Sequence, residues 1–499
     1  MSILLNLSYL CKFKHCVLKR KRFVKILLYL LLAFFIISAT SIILLLKSSH
    51  FQSWITQKIA NAIVGDSNVK IQIESVDIEF FNKLVLNNIY IEDANSDTLF
   101  YINKLKAGIK EWDSDKQELF LNSIEINKSF TNLLVDSNDF LNIHNLTALF
   151  SSDSTNKDSS VWKIYSKNIN ITNSRFVYNS FFKEKKTYGM NYWDLDIKNI
   201  NLSISDIKII NDSMLFNIDS LSCTEKCGFE LDNFAGNINV CPTAVDVKNL
   251  KILTPKSNIS AKVYSMKYNY YKAFLNYISD VKMLADFNYS QINSDDIAYF
   301  AYQLKNAKIK TDIISGKYTG TVDNFKLDNL KLKYGRKSML VGSCNINGLP
   351  DINNTFMFIT VDSLKTKRTD LETIKIPPYK NNNFIKLPKQ IANMGTIIYR
   401  GNFTGLYNDF VSYGKFYTDA GVISTDILLK NEVNSNKAKL NGEFSTYSIN
   451  LDKILETNAK IGDINISAKL DGYISPDSIV AKLNGNIDKL AVLNYHYKI

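Results

Sequence analysis

The chain has 499 residues, 46% hydrophobic and 22% charged, with only 19 glycines and 7 prolines. That balance excludes a disordered, collagen-like or low-complexity protein. The formal charge of +12 is not a nucleic-acid footprint. Lys12, Lys14, Lys19, Arg20, Lys21, Arg22 and Lys25 supply seven of it before any acid occurs, which leaves +5 on the rest, where acids and bases are interspersed.

Residues 1–25 are a basic segment of cytoplasmic character. Residues 26–46 follow, 21 in a row without a charge, with Ile26, Leu30, Phe34, Ile42 and Leu46 along their length. At about 1.5 Å per residue such a helix spans about 30 Å, the thickness of a bilayer's hydrocarbon core. The preceding cations put the N-terminus in the cytoplasm and the remainder across the membrane. A cleaved signal peptide fits less well, because the apolar run is long and Lys47-Ser48-Ser49-His50-Phe51 is a poor cleavage site.

Residues 47–66 hold a short amphipathic helix. Phe51, Trp54, Ile55, Ile59, Ala62 and Ile63 recur at helical spacing, Gln52, Gln57, Lys58 and Asn61 lie opposite, and Gly65 is a natural stop. It caps the end of a sheet or lies at the membrane surface.

From residue 67 to 499 a period of two dominates. Val69, Ile71 and Ile73 alternate with polar residues; Val76, Ile78 and Phe80, Leu84 and Leu86, and Ile89 and Ile91 continue the pattern. Around Leu195-Asp196-Ile197, Ile200, Leu202, Ile204, Ile207 and Ile209 the phase slips, which predicts β-bulges or tight corners. Two patches have helical spacing: Phe274, Tyr277, Ile278, Val281 and Ala285, then Ile297, Phe300, Ala301 and Leu304 behind Ser294 as N-cap. The final stretch is a hairpin about Ser475-Pro476-Asp477-Ser478. Ile464, Ile466, Leu470, Ile479, Leu483 and Ile487 fall on its apolar face and are the candidate groove-lining residues.

The fold class is therefore mainly β with a few short helices. A one-sided sheet must hide its apolar face, as a sandwich, as a membrane barrel, or as a sheet curled on itself. At about 12 residues per strand and turn, the body holds about 35 strands, or about 170 Å of sheet.

Catalytic signatures are missing from the sequence. His15, His50, His144 and His496 are isolated, and there is no Gly-x-Ser-x-Gly, phosphate-binding glycine loop or HExxH. Asp295-Asp296 reads as the acidic first turn of a helix. Cys11 and Cys16 precede the apolar run. Cys223, Cys227, Cys241 and Cys344 follow it, where disulfides could form among the first three. The reading is of a protein that is not an enzyme, with no cofactor, no metal and no nucleic acid.

Several stretches resemble the TamB branch of the AsmA-like proteins, in its Bacteroidota form. They are VDIEFFNKLVLNNIYIED at 76–93 with Asp97-Thr98-Leu99, IAYF at 297–300, GKYTGTVDNFKLDNLKL at 316–332, GLPDINNTFMFITVDSL at 348–364, and LPKQIANMGTIIYRGNFTGLYNDFVSY at 387–413. The resemblance covers nearly all of the chain after the apolar run and lies in the order of these pieces. It implies a single-pass inner-membrane protein whose periplasmic body is an elongated, taco-like β-groove. It implies conduction of phospholipids towards the outer membrane, with their acyl chains as partner, and an outer-membrane barrel assembly partner. Family chains are longer, so the family's C-terminal domain is expected to be absent from these 499 residues. The alternative is a factor for outer-membrane protein insertion or secretion that pairs its strand edges with clients. Two 16-carbon tails crossing water would cost about 25 kcal/mol at about 0.8 kcal/mol per CH₂, and a continuous apolar trough removes most of that cost.

Overall fold

The computed structural model describes residues 71–79, 83–93, 95–144, 163–377, 379–432, 437–456, 461–475, 478–493 and 495–498. The basic segment, the apolar run 26–46 and the amphipathic segment 47–66 lie outside the described residues. Among those described, no helix is long and apolar enough to cross a membrane. The fold is mainly β, with 67% of the described residues in strands. The chain divides into two compact units: residues 1–247 with 251–255 and 268–272, and residues 248–250, 256–267 and 273–499.

In the first unit the strands are long. They are β1 (Ile71–Glu79), β2 (Lys83–Glu92), β3 (Thr98–Asp113), β4 (Glu118–Val135), β5 (Lys163–Ser180), β6 (Asp194–Ile210), β7 (Ser213–Glu225), β8 (Glu230–Cys241) and most of β9 (Ala244–Leu253). From β1 to β8 each pairs with the next, antiparallel except for parallel β4 and β5. The expected bulges are present: the β5–β6 register shifts on both sides of Ser174, and β6–β7 shifts three times.

The alternation of the sequence becomes rows of paired side chains. Leu86, Leu105, Ile126, Ile171 and Leu202 face one another across five strands. Leu86, Leu105 and Ile126 are sealed to 2% exposure or less, whereas Ile171 and Leu202 are half-buried. The core of this unit therefore sits over β2–β4 and thins towards β6. Each sealed aliphatic side chain contributes about 2 kcal/mol.

Two turns close strands at one end of this unit by the same device. Asp93 Oδ1 accepts from the amides of Asn95 (2.9 Å) and Asp97 (3.0 Å), and Asp136 Oδ1 accepts from those of Asn138 and Phe140 (both 2.9 Å). Asn142 Nδ2 donates to Asp93 Oδ2 at 3.0 Å and so ties one turn to the other. Asp93 is almost wholly buried, and these hydrogen bonds offset the cost of desolvating it.

The second unit holds β10 (Asn258–Lys267), β11 (Lys282–Phe287), β12 (Ser290–Asn293), β13 (Lys310–Gly320), β14 (Asn324–Tyr334), β15 (Ser338–Asn347) and β16 (Phe356–Thr366). It continues with β17 (Ile397–Leu406), β18 (Asp409–Thr418), β19 (Gly421–Asn431), β20 (Ala438–Tyr447), β21 (Ile449–Asn450), β22 (Ile461–Ser475), β23 (Ser478–Val492) and β24 (Tyr495–Lys498). These form an antiparallel meander. β10 pairs β11 and β12, both of those pair β13, and from β13 to β20 each strand pairs its successor; β20 and the short β21 both pair β22, which pairs β23, and β23 pairs β24.

The helical patches are shorter than the spacing predicts. A 3₁₀ turn at Tyr271–Asn276 runs into α1 (Tyr277–Asp280), and Ala285 belongs to β11. The second patch is α2 (Ser294–Ile297), capped by Asn293 rather than Ser294: Asn293 Oδ1 accepts from Asp295 N at 3.0 Å. Ser294 Oγ instead accepts from Ile309 N at 2.9 Å. The described residues hold 24 strands against the expected 35, because strands of the first unit reach 18 residues.

Candidate functional site

From β15 to β23 the register stacks three unbroken rows on one face of the second unit. One is Gly342, Val361, Gly401, Gly414, Thr425, Phe444, Ala468 and Gly485. The next is Cys344, Ile359, Phe403, Ser412, Ile427, Gly442, Leu470 and Leu483. The third is Ile346, Met357, Gly405, Phe410, Leu429, Leu440, Gly472 and Ala481. None of these positions carries a charge. The opposite face carries Thr360, Asn402, Tyr413, Asp426, Glu443, Lys469 and Asn484 in one row, a solvated surface.

Eight strands at about 4.8 Å spacing make each row about 34 Å long. One leaflet's acyl region is about half of a ~30 Å hydrocarbon core, so a row exceeds the length of a lipid tail.

Burial separates most of this face from the core of the first unit, with Ile346 and Ala468 the buried side chains in the rows at 8% and 9% exposure. Ile359, Phe403, Phe410, Ile427, Leu429, Leu440 and Leu470 are all half-buried, sheltered by neighbours in the sheet but not sealed as Leu105 and Ile126 are. A second packed layer would take such side chains to core values. Among described residues, the compact cluster in this unit is small: Ala420, Ile449, Ile454 and Ile464, packed around α3 (Leu451–Leu455).

Local chemistry keeps the face neutral. Tyr399 lies over the glycine pair Gly401 and Gly414; a β-carbon on Gly414 would sit 2.4 Å from its ring. Its hydroxyl is within hydrogen-bond distance of Ser412 Oγ (3.1 Å) and donates to the Tyr413 carbonyl (3.3 Å). Nearer the start of the unit, the Tyr277 hydroxyl donates to Met283 Sδ at 2.9 Å and the Tyr318 hydroxyl to the Thr321 carbonyl at 2.6 Å. Burial pushes the Tyr318 phenol up to about 12 and raises that of Tyr264 further, so neither ionises in the physiological range.

The predicted lining residues divide in four. Ile466 and Leu470 are half-buried on the apolar face, opposite Ile487 and Leu483 in the ladder. Leu483 and Ile487 are 57% and 39% exposed, because β23 is shielded from one side only over most of its length. Ile464 is buried in the small cluster beneath α3, against which Ile466 also packs. Ile479 pairs with Ile474, and its side chain lies outside those described. Sequence reasoning missed the longer part of the surface, from Cys344 to Leu440, whose signal was the same period-two alternation.

Asp295 and Asp296 form no acid–base pair. Lys256 and Lys308 lie 3.0 and 3.3 Å from Asp295, and Lys256 first of all holds its carboxyl below the ordinary range. Asp296 accepts from Ser257 Oγ at 2.6 Å. Cys223, Cys227, Cys241 and Cys344 are free thiols. Among the described residues no group of three His, Cys, Asp or Glu side chains could hold a metal ion. A shallow polar depression lined by Lys104, Lys106, Glu125, Asn127 and Thr172 lies in the first unit and shares nothing with the apolar rows.

No protein-family model, no curated protein and no solved structure matches the chain.

Proposed function

We propose that the protein is a membrane-tethered lipid conduit of the AsmA-like, TamB-branch type, acting in envelope biogenesis. In this reading residues 26–46 hold it in the inner membrane and the β body lies in the periplasm. The body passes phospholipids along its apolar face towards the outer membrane, and no catalytic step is involved. The observation that carries the reading is the uncharged, half-buried face of the second unit, from Cys344 to Leu470. A sheet that exposed such a surface to water alone would waste about 25 cal/mol for each Å² of apolar area. Lipid tails are the chemistry that fits a surface with rows of aliphatic groups, no charge and no directional polar contact.

The test is transfer of a fluorescent phospholipid between donor and acceptor vesicles by the full chain. Leu429→Lys and Leu470→Lys should each slow transfer at least about tenfold, the effect of about 1.4 kcal/mol of added barrier. Leu428→Lys, on the opposite face, should leave it unchanged. Equal rates for all three would remove the conduit from the account.

A further inference from the structure

Registers in the first unit bring several loops to one end of the sheet. Ile71 pairs with Ile91, Ile91 with Phe100, Phe100 with Thr131, and Thr131 with Phe176. The end at which the chain comes into β1 is therefore the end at which β4 and β5 finish. Four strand spacings separate β1 from β5, about 19 Å.

At that end the connection from β5 to β6, residues 181–193, presents Phe181 and Phe182 at 62% and 64% exposure and Trp193 at 37%. On the neighbouring turn after β4, Phe140 is 55% exposed. These rings are held out by an ordered base. Met190 and Asn191 are buried, Ser180 N donates to the Trp193 carbonyl at 2.8 Å, and Asp194 N donates to the Asn191 carbonyl at 3.0 Å. Lys183 and Lys186 lie over the rings of Trp193 and Tyr192, at 5.4 and 5.6 Å. The acid at the base, Asp194, is bridged by Lys185 and Lys226. The β5–β6 connection is thus aromatic and, with Lys183, Lys185 and Lys186 against Glu184, net cationic, while the Phe140 turn beside it carries Asp136 and Asp139.

We infer that this end of the first unit docks on a phospholipid bilayer, with Phe181 and Phe182 entering the headgroup and upper acyl region. Three features select a bilayer over a protein partner. Aromatic rings backed by lysines match an apolar interior under phosphate headgroups. The rings stand on separate loops at one strand end, as a planar surface requires. That end is also where the chain arrives from the apolar run 26–46 through only the intervening residues 47–70. The inference rests on that run being membrane-embedded.

The experiment uses the full chain reconstituted in vesicles of phosphatidylethanolamine and phosphatidylglycerol. An environment-sensitive fluorescent amino acid is placed at Phe182, at Phe140, or at Lys469 on the wet face of the second unit, and nitroxide-labelled lipids act as quenchers. Emission from positions 182 and 140 should shift to the blue and fall about twofold or more with quencher, while that from 469 stays unchanged. The double variant Phe181→Asp/Phe182→Asp should abolish quenching at position 140, and because both side chains are exposed the fold should survive it. Position 182 emitting as position 469 does, with the chain still resistant to carbonate extraction, overturns the docking and leaves the tether intact. A chain that carbonate extracts overturns the tether and the docking together.

Discussion

Consider a lysine placed at Leu429, at the middle of the apolar face and facing Phe410 and Leu440. Leu429 is half-buried, so its transfer from water contributes about 1 kcal/mol rather than the 2–3 of a sealed leucine. A lysine there can lay its stem along the sheet and carry its ammonium towards the open side, adding little more. The expected loss is about 1–2 kcal/mol. For a unit of this size that lowers the midpoint by about 2–8 °C. Under a second packed layer the same ammonium would be stranded, at a cost of several kcal/mol, and the unit would unfold. Ile126→Lys provides the sealed reference, because Ile126 is 1% exposed. Leu428→Lys provides the exposed one, because Leu428 is 40% exposed on the other face. Circular-dichroism melts of the full chain in mild detergent, with hydrogen exchange followed peptide by peptide, assign each loss to its unit. If Leu429→Lys opens β18–β20 as thoroughly as Ile126→Lys opens β3–β5, the face is a filled core and the argument for a trough is wrong.

Other expectations follow from single sites. Gly414→Val should cost about 2–4 kcal/mol, because the new side chain must displace the Tyr399 ring, whereas the same change paired with Tyr399→Ala should recover part of it in a double-mutant cycle. Asp370 is buried and accepts from Lys337 N and Ser338 Oγ, both at 2.8 Å, and from Arg336 N at 3.2 Å. Burial alone would raise its pKa, but these donors together outweigh it and hold the carboxyl below the ordinary range. Its stabilising contribution should be complete above the unfolded value near 4 and fade as pH falls through the lower folded value, and Asp370→Ala should remove about 2–3 kcal/mol at neutral pH while flattening that acid limb. The Cys227 thiol is pushed up to about 11, by burial first and then by its contact with Glu225. Iodoacetamide should therefore label it slowly at pH 8 and faster as pH approaches 11, and Glu225→Gln should move that profile to lower pH.

The strands, their faces and the terminal hairpin were legible because alternation is a local property: Ile466, Leu470 and Ile474 fall on one face in any antiparallel pairing. The shift between Ile197 and Ile200, opposite Phe176 and Ser174, was legible as a slip of phase for the same reason. Strand length was not, since eighteen residues of β5 contain no glycine or proline to mark where a shorter strand would turn. Helical spacing at Phe274–Ala285 misled because six residues of β11 took the end of the pattern into the sheet, where Ala285 pairs with Tyr318. The contrast between Ile126 and Ile427 has no counterpart in the sequence at all. Both are isoleucines in alternating strands, and only what covers each one sets its burial. Asp370 is a third case: nothing in Arg368-Thr369-Asp370-Leu371 shows that its carboxylate will close a turn more than thirty residues away.

Photo-crosslinking at Leu429, with Leu428 as its neighbour on the other face, measures the central claim most directly. The full chain carrying a diazirine side chain at one position or the other is irradiated in native membranes, and adducts are identified by mass. Phospholipid adducts at 429 in clear excess over 428 are the predicted result. Adducts at 429 that are peptides of this same chain, with no lipid among them, would mean that protein fills the face and nothing travels along it.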